Sequence, residues 1–136
     1  MAGITSDAQA NLILDTLFGA SAATWYAALM TTTPAGDGSG GTEVSGGSYA
    51  RVSFTDNATT WPAASGRQKK NGIAITFAAP TADWGSNLPG VAFYTASSGG
   101  TFKGYAKFGT PVTILNGYPA FVITANSLTI TAVNIA

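Results

Sequence analysis

Six carboxylates, six basic side chains and no histidine or cysteine set the chemical repertoire of this chain. The acids stand at positions 7, 15, 37, 43, 56 and 83, with no close pair in sequence and no motif around them. Hydrolysis by paired carboxylates needs two such groups flanking one scissile bond, so folding would have to supply what the spacing does not. Without histidine the usual general base, nucleophile activator and commonest metal ligand is missing. Without cysteine there is neither thiolate chemistry nor a disulfide framework. Ser65 and Lys69 have the spacing of a Ser–Lys pair, but they fall in a Gly-containing basic stretch that reads as an exposed loop. A catalytic lysine needs desolvation to lower its pKa, which such a loop does not offer. Asp37-Gly38-Ser39-Gly40 is a partial likeness of a calcium loop. It lacks the alternating acids and the terminal bidentate glutamate, so it reads as a flexible loop. Arg67, Lys69 and Lys70 form the only charge cluster, without acids nearby in sequence. A nucleic-acid groove needs more phosphate contacts and usually stacking aromatics. The cluster is therefore expected to be a partner-contact loop, either solvated or meeting a neighbour's carboxylate. These residues argue against an enzyme, and no cofactor is expected.

Composition points the same way. Charged residues make up 9% of the chain, against about 25% in an average soluble domain, while apolar residues reach 46%. A freely diffusing monomer usually keeps a charged surface. A surface of Thr, Ser, Gly, Asn and Ala suits a protein whose faces are covered by partners. The formal net charge is zero, so no global field steers the chain to nucleic acid or to an acidic membrane. Asp7 and Asp15 precede the first basic residue, Arg51, which is the wrong charge order for a secretory signal. No apolar run approaches membrane-spanning length.

The elements that must position these groups are one helix and many short strands. Residues 6–18 read as a helix: Ser6 and Gln9 have capping-box spacing, and Ile13, Leu14, Leu17 and Phe18 recur on one face. Gly19 is placed to end it in a left-handed cap. Strands are expected over 24–32, 48–55, 71–79, 91–95, 101–108, 112–115, 119–125 and 127–133, with Asn116-Gly117 as a turn signal. Ile73, Ile75 and Phe77 share one face, and Leu128, Ile130 and Ala132 alternate with Thr129, Thr131 and Val133. About eight short strands with Gly-rich turns predict a mainly β chain: a single β-sandwich or barrel-like domain over 1–136 with one N-terminal helix.

Three segments carry a resemblance. They are Tyr26-Ala27-Ala28-Leu29, the block Thr42-Glu43-Val44-Ser45-Gly46-Gly47-Ser48-Tyr49-Ala50-Arg51, and the block Ile75-Thr76-Phe77-Ala78-Ala79-Pro80-Thr81-Ala82-Asp83-Trp84-Gly85. In content and order the chain resembles short tailed-bacteriophage virion proteins, variously labelled tail fibre, tail or capsid decoration proteins. Residues 86–90, with Pro89, and the basic 67–70 loop depart from that pattern. The resemblance implies a non-enzymatic structural component of a virion, assembled in the host bacterial cytoplasm.

Physics gives the two longer blocks a reason. Gly46 and Gly47 permit a bend before Tyr49, and Arg51 shares a strand face with Tyr49. Asp83 or Glu43 is then expected to take its guanidinium bidentately beside Trp84. The first expectation for function is a capsid-decorating cement protein on the capsid lattice. The alternative is a small tail or tail-fibre component. A third reading, from another class, is a carbohydrate-binding module using Trp61, Trp84 or Tyr94 as a stacking platform. Expected partners are copies of the chain itself, as a homotrimer, and the major capsid protein or tail proteins, with no nucleic acid and no membrane.

Overall fold

A computed structural model describes residues 6–131. Among them the chain is mainly β: one helix, α1 (Asp7–Leu17), and eight strands, β1 (Thr24–Met30), β2 (Val52–Thr55), β3 (Gln68–Lys70), β4 (Ile75–Phe77), β5 (Gly85–Tyr94), β6 (Phe102–Ile114), β7 (Phe121–Ile123) and β8 (Thr129–Thr131). The strands form one four-stranded sheet and two two-stranded sheets, none closed into a barrel. Contacts group the chain into two compact units. The first comprises the residues up to Ala23, Thr55–Ala74 and those from Thr124; the second comprises Thr24–Phe54 and Ile75–Ile123.

In the first unit α1 begins at Ser6, whose Oγ accepts the Gln9 amide at 3.2 Å. It buries Ala10 and Leu14, and Phe18 just beyond it is also buried. The inward stripe is therefore 10-14-18, at strict i, i+4 spacing. Ile13 and Leu17, expected on the inward face, are 44% and 58% exposed, and Leu12 is 67% exposed. The difference arises because Asp7, Asn11 and Asp15, bonded to Arg67, Lys69 and the Ala64 amide, fix the helix's rotation and leave Ile13 and Leu17 outside. Gly19 takes the expected left-handed conformation at φ 96°. β3 pairs antiparallel with β8, setting Lys69 opposite Ile130. The stretch expected to be an exposed loop thus contains a strand, and Lys69 in its middle is buried. The expected alternation through Ala132 and Val133 lies partly outside the described residues.

In the second unit the sheet order is β2-β1-β5-β6. β1 and β5 are the central strands, with Ala28 opposite Ala92 and Met30 opposite Gly90. Both faces of these strands are covered, so their cores read as continuous apolar runs rather than alternating ones. A Cβ on Gly90 would collide with the Ala106 carbonyl oxygen, so the close approach of β6 requires glycine there. β5 starts at Gly85 rather than at the expected position 91 because its register shifts around Leu88 and Gly90. Such irregularities accommodate Pro89, which has no N–H for the ladder. The expected strands 101–108 and 112–115 are one long strand, β6. β6 is an edge strand, where Pro111 is tolerated. Asn116-Gly117 does form a turn, with Tyr118 N donating to Leu115 O at 3.1 Å. It joins strands of different sheets, since β6 pairs with β5 and β7 with β4. No helix among the described residues is long and apolar enough to cross a membrane.

Candidate functional site

Arg51 stands just before β2 with its side chain 7% exposed. Glu43 takes it bidentately: Nε donates to Oε1 at 2.9 Å and Nη2 to Oε2 at 2.8 Å. Nη1 donates to the carbonyls of Ala96 and Gly99, each at 2.8 Å. The guanidinium carbon lies 4.1 Å from the centroid of the Tyr94 ring. Arg51 thus fastens the loop between β5 and β6 to the segment before β2. The fork geometry of guanidinium suits this role in a way that lysine does not. The Glu43 hydrogen bond holds the Arg51 pKa above its usual value despite burial.

Tyr49 completes the latch. Its hydroxyl donates to Glu43 Oε1 at 2.8 Å and accepts the Leu29 amide at 2.9 Å. Burial, with the neighbouring Glu43 carboxylate, pushes the phenol pKa far up. The ring stacks on Phe77 at 6.1 Å and meets Trp84 edge-on at 5.4 Å. Trp84 Nε1 donates to Gly47 O at 2.9 Å, and the same oxygen accepts the Thr81 amide at 3.0 Å. Gly47 sits at φ 58°, with a Cβ there placed 2.8 Å from Ala82 N. The two long sequence blocks therefore meet, through Tyr49, Gly47 and Trp84. Asp83 is not part of the latch: it is exposed, and its carboxylate accepts the Asn116 amide at 2.8 Å, bracing the turn after β6. A concavity of about 380 Å³ opens beside Glu43, Tyr49 and Arg51.

A second constellation, in the first unit, escaped the sequence reading. Asp7, Asn11 and Asp15 recur at i, i+4 and i+8, one face of α1. Asp7 Oδ1 accepts Arg67 Nε at 2.6 Å, Asn11 Oδ1 accepts the Arg67 amide at 2.9 Å, and Asp15 Oδ1 accepts Lys69 Nζ at 2.6 Å and the Ala64 amide at 2.8 Å. The basic cluster thus has acids close by, supplied by the helix. Lys69 is desolvated, with 2% of its side chain exposed, but its ammonium is committed to Asp15 rather than to Ser65. Its hydrogen bond holds the Asp15 carboxyl below the usual aspartate value. Lys70 is exposed and makes no ion pair with the described residues. Asp56, 1% exposed, accepts Gly19 N at 2.6 Å, Ser21 N at 3.1 Å and Ser21 Oγ at 2.6 Å. Asp37 accepts the amide and hydroxyl of Ser39 and closes its own loop. Among the described residues no group of three His, Cys, Asp or Glu could hold a metal ion. Trp61 and Trp84 are 1% and 4% exposed, so neither offers a free ring face to a sugar, and Tyr94 is covered by Arg51.

This is a small, mainly β protein whose charged groups brace its own loops and helix. A family model described as Podophage GP4 fiber I protein gp80 matches residues 4–131. The chain belongs to that family, and it is a structural fibre-type protein of a bacteriophage virion. No curated protein matches the chain.

Proposed function

We propose that this chain is a non-catalytic subunit of the tail apparatus of a podophage, built into a fibre or its attachment and held there by copies of itself and by neighbouring tail proteins. The observation that carries the reading is the family match over residues 4–131, whose description is that of a fibre protein. It favours the tail alternative over the capsid-decorating role, for which no feature of the fold speaks. The acids support the absence of catalysis: all six have a hydrogen-bonded structural partner, Asp7, Asp15 and Glu43 in ion pairs and Asp37, Asp56 and Asp83 on amides or hydroxyls.

Self-association is supported by exposed apolar side chains on α1, Ile13 and Leu17 one turn apart on one face and Leu12 beside Ile13. Burying a leucine or isoleucine is worth about 1.5–3 kcal/mol. Three such residues on each helix suit the centre of a cyclic interface, and a trimer is the form expected. Gold-labelled antibody against the chain on intact particles tests the location. Label at the tail is the expected result; label spread over the capsid shell would restore the cement role and remove this one.

A further inference from the structure

The first unit carries an open surface depression of about 390 Å³ lined by Pro62, Ala63, Ser65, Gln68, Lys70 and Asn126, all of them exposed. Its volume lies within the roughly 300–1,000 Å³ of small-molecule sites. Strand alternation places Gln68 and Lys70 on the exposed face of β3, with buried Lys69 between them. The wall that carries Asn126 is fixed from beneath by Asn71, which is fully buried. Asn71 Nδ2 donates to Thr124 O at 2.9 Å, its Oδ1 accepts Leu128 N at 2.9 Å, and its carbonyl accepts Asn126 N at 2.6 Å. The remaining wall is fixed by the Ala64 amide on Asp15 and by the paired backbone bonds of Ser65 and Gln68 at 2.9 and 3.0 Å.

The backbone is thus anchored while the rim is not. The Ser65 hydroxyl, the Gln68 and Asn126 carboxamides and the Lys70 ammonium make no hydrogen bond or ion pair with the described residues. That contrasts with the acids of this charge-poor chain, every one of which is engaged. Donors and acceptors left uncommitted by the fold stand available to a ligand, on a backbone that is itself already ordered.

We propose that this depression binds an acidic saccharide, its carboxylate on Lys70, its hydroxyls on Gln68, Asn126 and Ser65, and an apolar ring face over Pro62 and Ala63. The wall holds one cation and no carboxylate, which selects a negative ligand. Each carboxamide offers donors and an acceptor, which suits neighbouring hydroxyls that do both. A bare anion would use Lys70 and leave the amides idle. The site is read from the first unit alone and holds wherever in the virion the chain stands.

Amide chemical shifts of the isotope-labelled full chain test it, in titrations with trigalacturonate, a hyaluronate tetrasaccharide, maltotriose and sodium phosphate. At least one acidic oligosaccharide should give saturable shifts centred on Ser65, Gln68, Lys70 and Asn126. Maltotriose and phosphate should bind more weakly. Lys70→Gln, a change at an exposed side chain, should weaken acidic-sugar binding about tenfold or more, the loss expected of a charge-assisted hydrogen bond. Gln68→Ala should weaken it too, and Lys107→Gln, in the other unit, should leave it unchanged. The proposal is overturned if neither acidic sugar gives saturable shifts, if maltotriose or phosphate binds as tightly, or if Lys107→Gln costs as much as Lys70→Gln.

Discussion

Arg51 and Glu43 are the pair on which the fold's charge economy turns. Removing one partner costs about 3–5 kcal/mol in a fully buried ion pair and at most about 1 in an exposed one, and with Arg51 7% and Glu43 27% exposed this pair lies between the two. Arg51→Ala should lose stability between those limits in chemical denaturation, and Glu43→Ala a comparable amount. The double variant should lose clearly less than the sum. Asp83→Ala should cost at most about 1 kcal/mol, since an exposed carboxylate gives up one hydrogen bond. Strong coupling of Arg51 to Asp83 instead of Glu43 would contradict the observed pairing. The strand expected over 48–55 is shorter, β2 beginning at Val52, so Arg51 and Tyr49 precede it rather than sharing a strand face. The importance of Arg51 was legible from the scarcity of charge. Which acid would take it was not, because Glu43 and Asp83 are equally plausible in sequence and only the chain path beside β1 decides. Asp15 supplies a pH signature. Its folded pKa lies below the ordinary 3.8. Its stabilisation is therefore fully present above that ordinary value and is lost as pH falls through the lowered one. The melting midpoints of the parent and Asp15→Asn should differ at neutral pH and converge in acid; a gap that stays constant would contradict the Asp15–Lys69 bond.

At the scale of elements, α1 shows what periodicity reveals and what it hides. Its existence, cap and end were readable from Ser6, Gln9 and Gly19, but its inward face was not. The apolar residues at 10, 12, 13, 14, 17 and 18 allow more than one stripe, and the polar stripe Asp7, Asn11 and Asp15 fixes the choice by gripping Arg67, Ala64 and Lys69. That spacing, matched to bases two apart at 67 and 69, was the available signal. Exposed Leu12 and Leu17 then become a test of assembly. Leu12→Ser with Leu17→Ser should leave the melting midpoint within a few degrees of the parent. The same pair should shift native mass spectra from oligomer to monomer. An unchanged oligomer would place the interface elsewhere. β5 and β6 were each under-read for one reason: Pro89 and Pro111 look like strand ends, and a register irregularity and an edge position make room for them. At Gly90 the sheet admits no side chain, so Gly90→Ala should reduce stability by about 1–3 kcal/mol in denaturant melts. An unchanged midpoint would show that β6 can yield there.

At the scale of the whole molecule, the mainly β class with one helix near the N-terminus followed from strand-length apolar runs and Gly-rich turns. The two compact units did not, because each is assembled from separated stretches of chain, and local pattern carries no record of such long-range contacts. Virion membership was legible from the blocks around Glu43–Arg51 and Asp83–Trp84, which share a core through Tyr49 and Trp84. Position within the virion was not, since no charge pattern distinguishes a shell partner from a tail partner. Copy number separates them. A subunit of the tail apparatus must follow the few-fold cyclic symmetry of an appendage, whereas a cement protein follows the capsid lattice. Quantitative mass spectrometry of purified particles, with the major capsid protein as internal standard, measures this ratio directly. The tail-fibre account predicts a chain far scarcer than the capsid protein and present in fixed proportion to other tail proteins; a ratio approaching one chain per capsid subunit would contradict it.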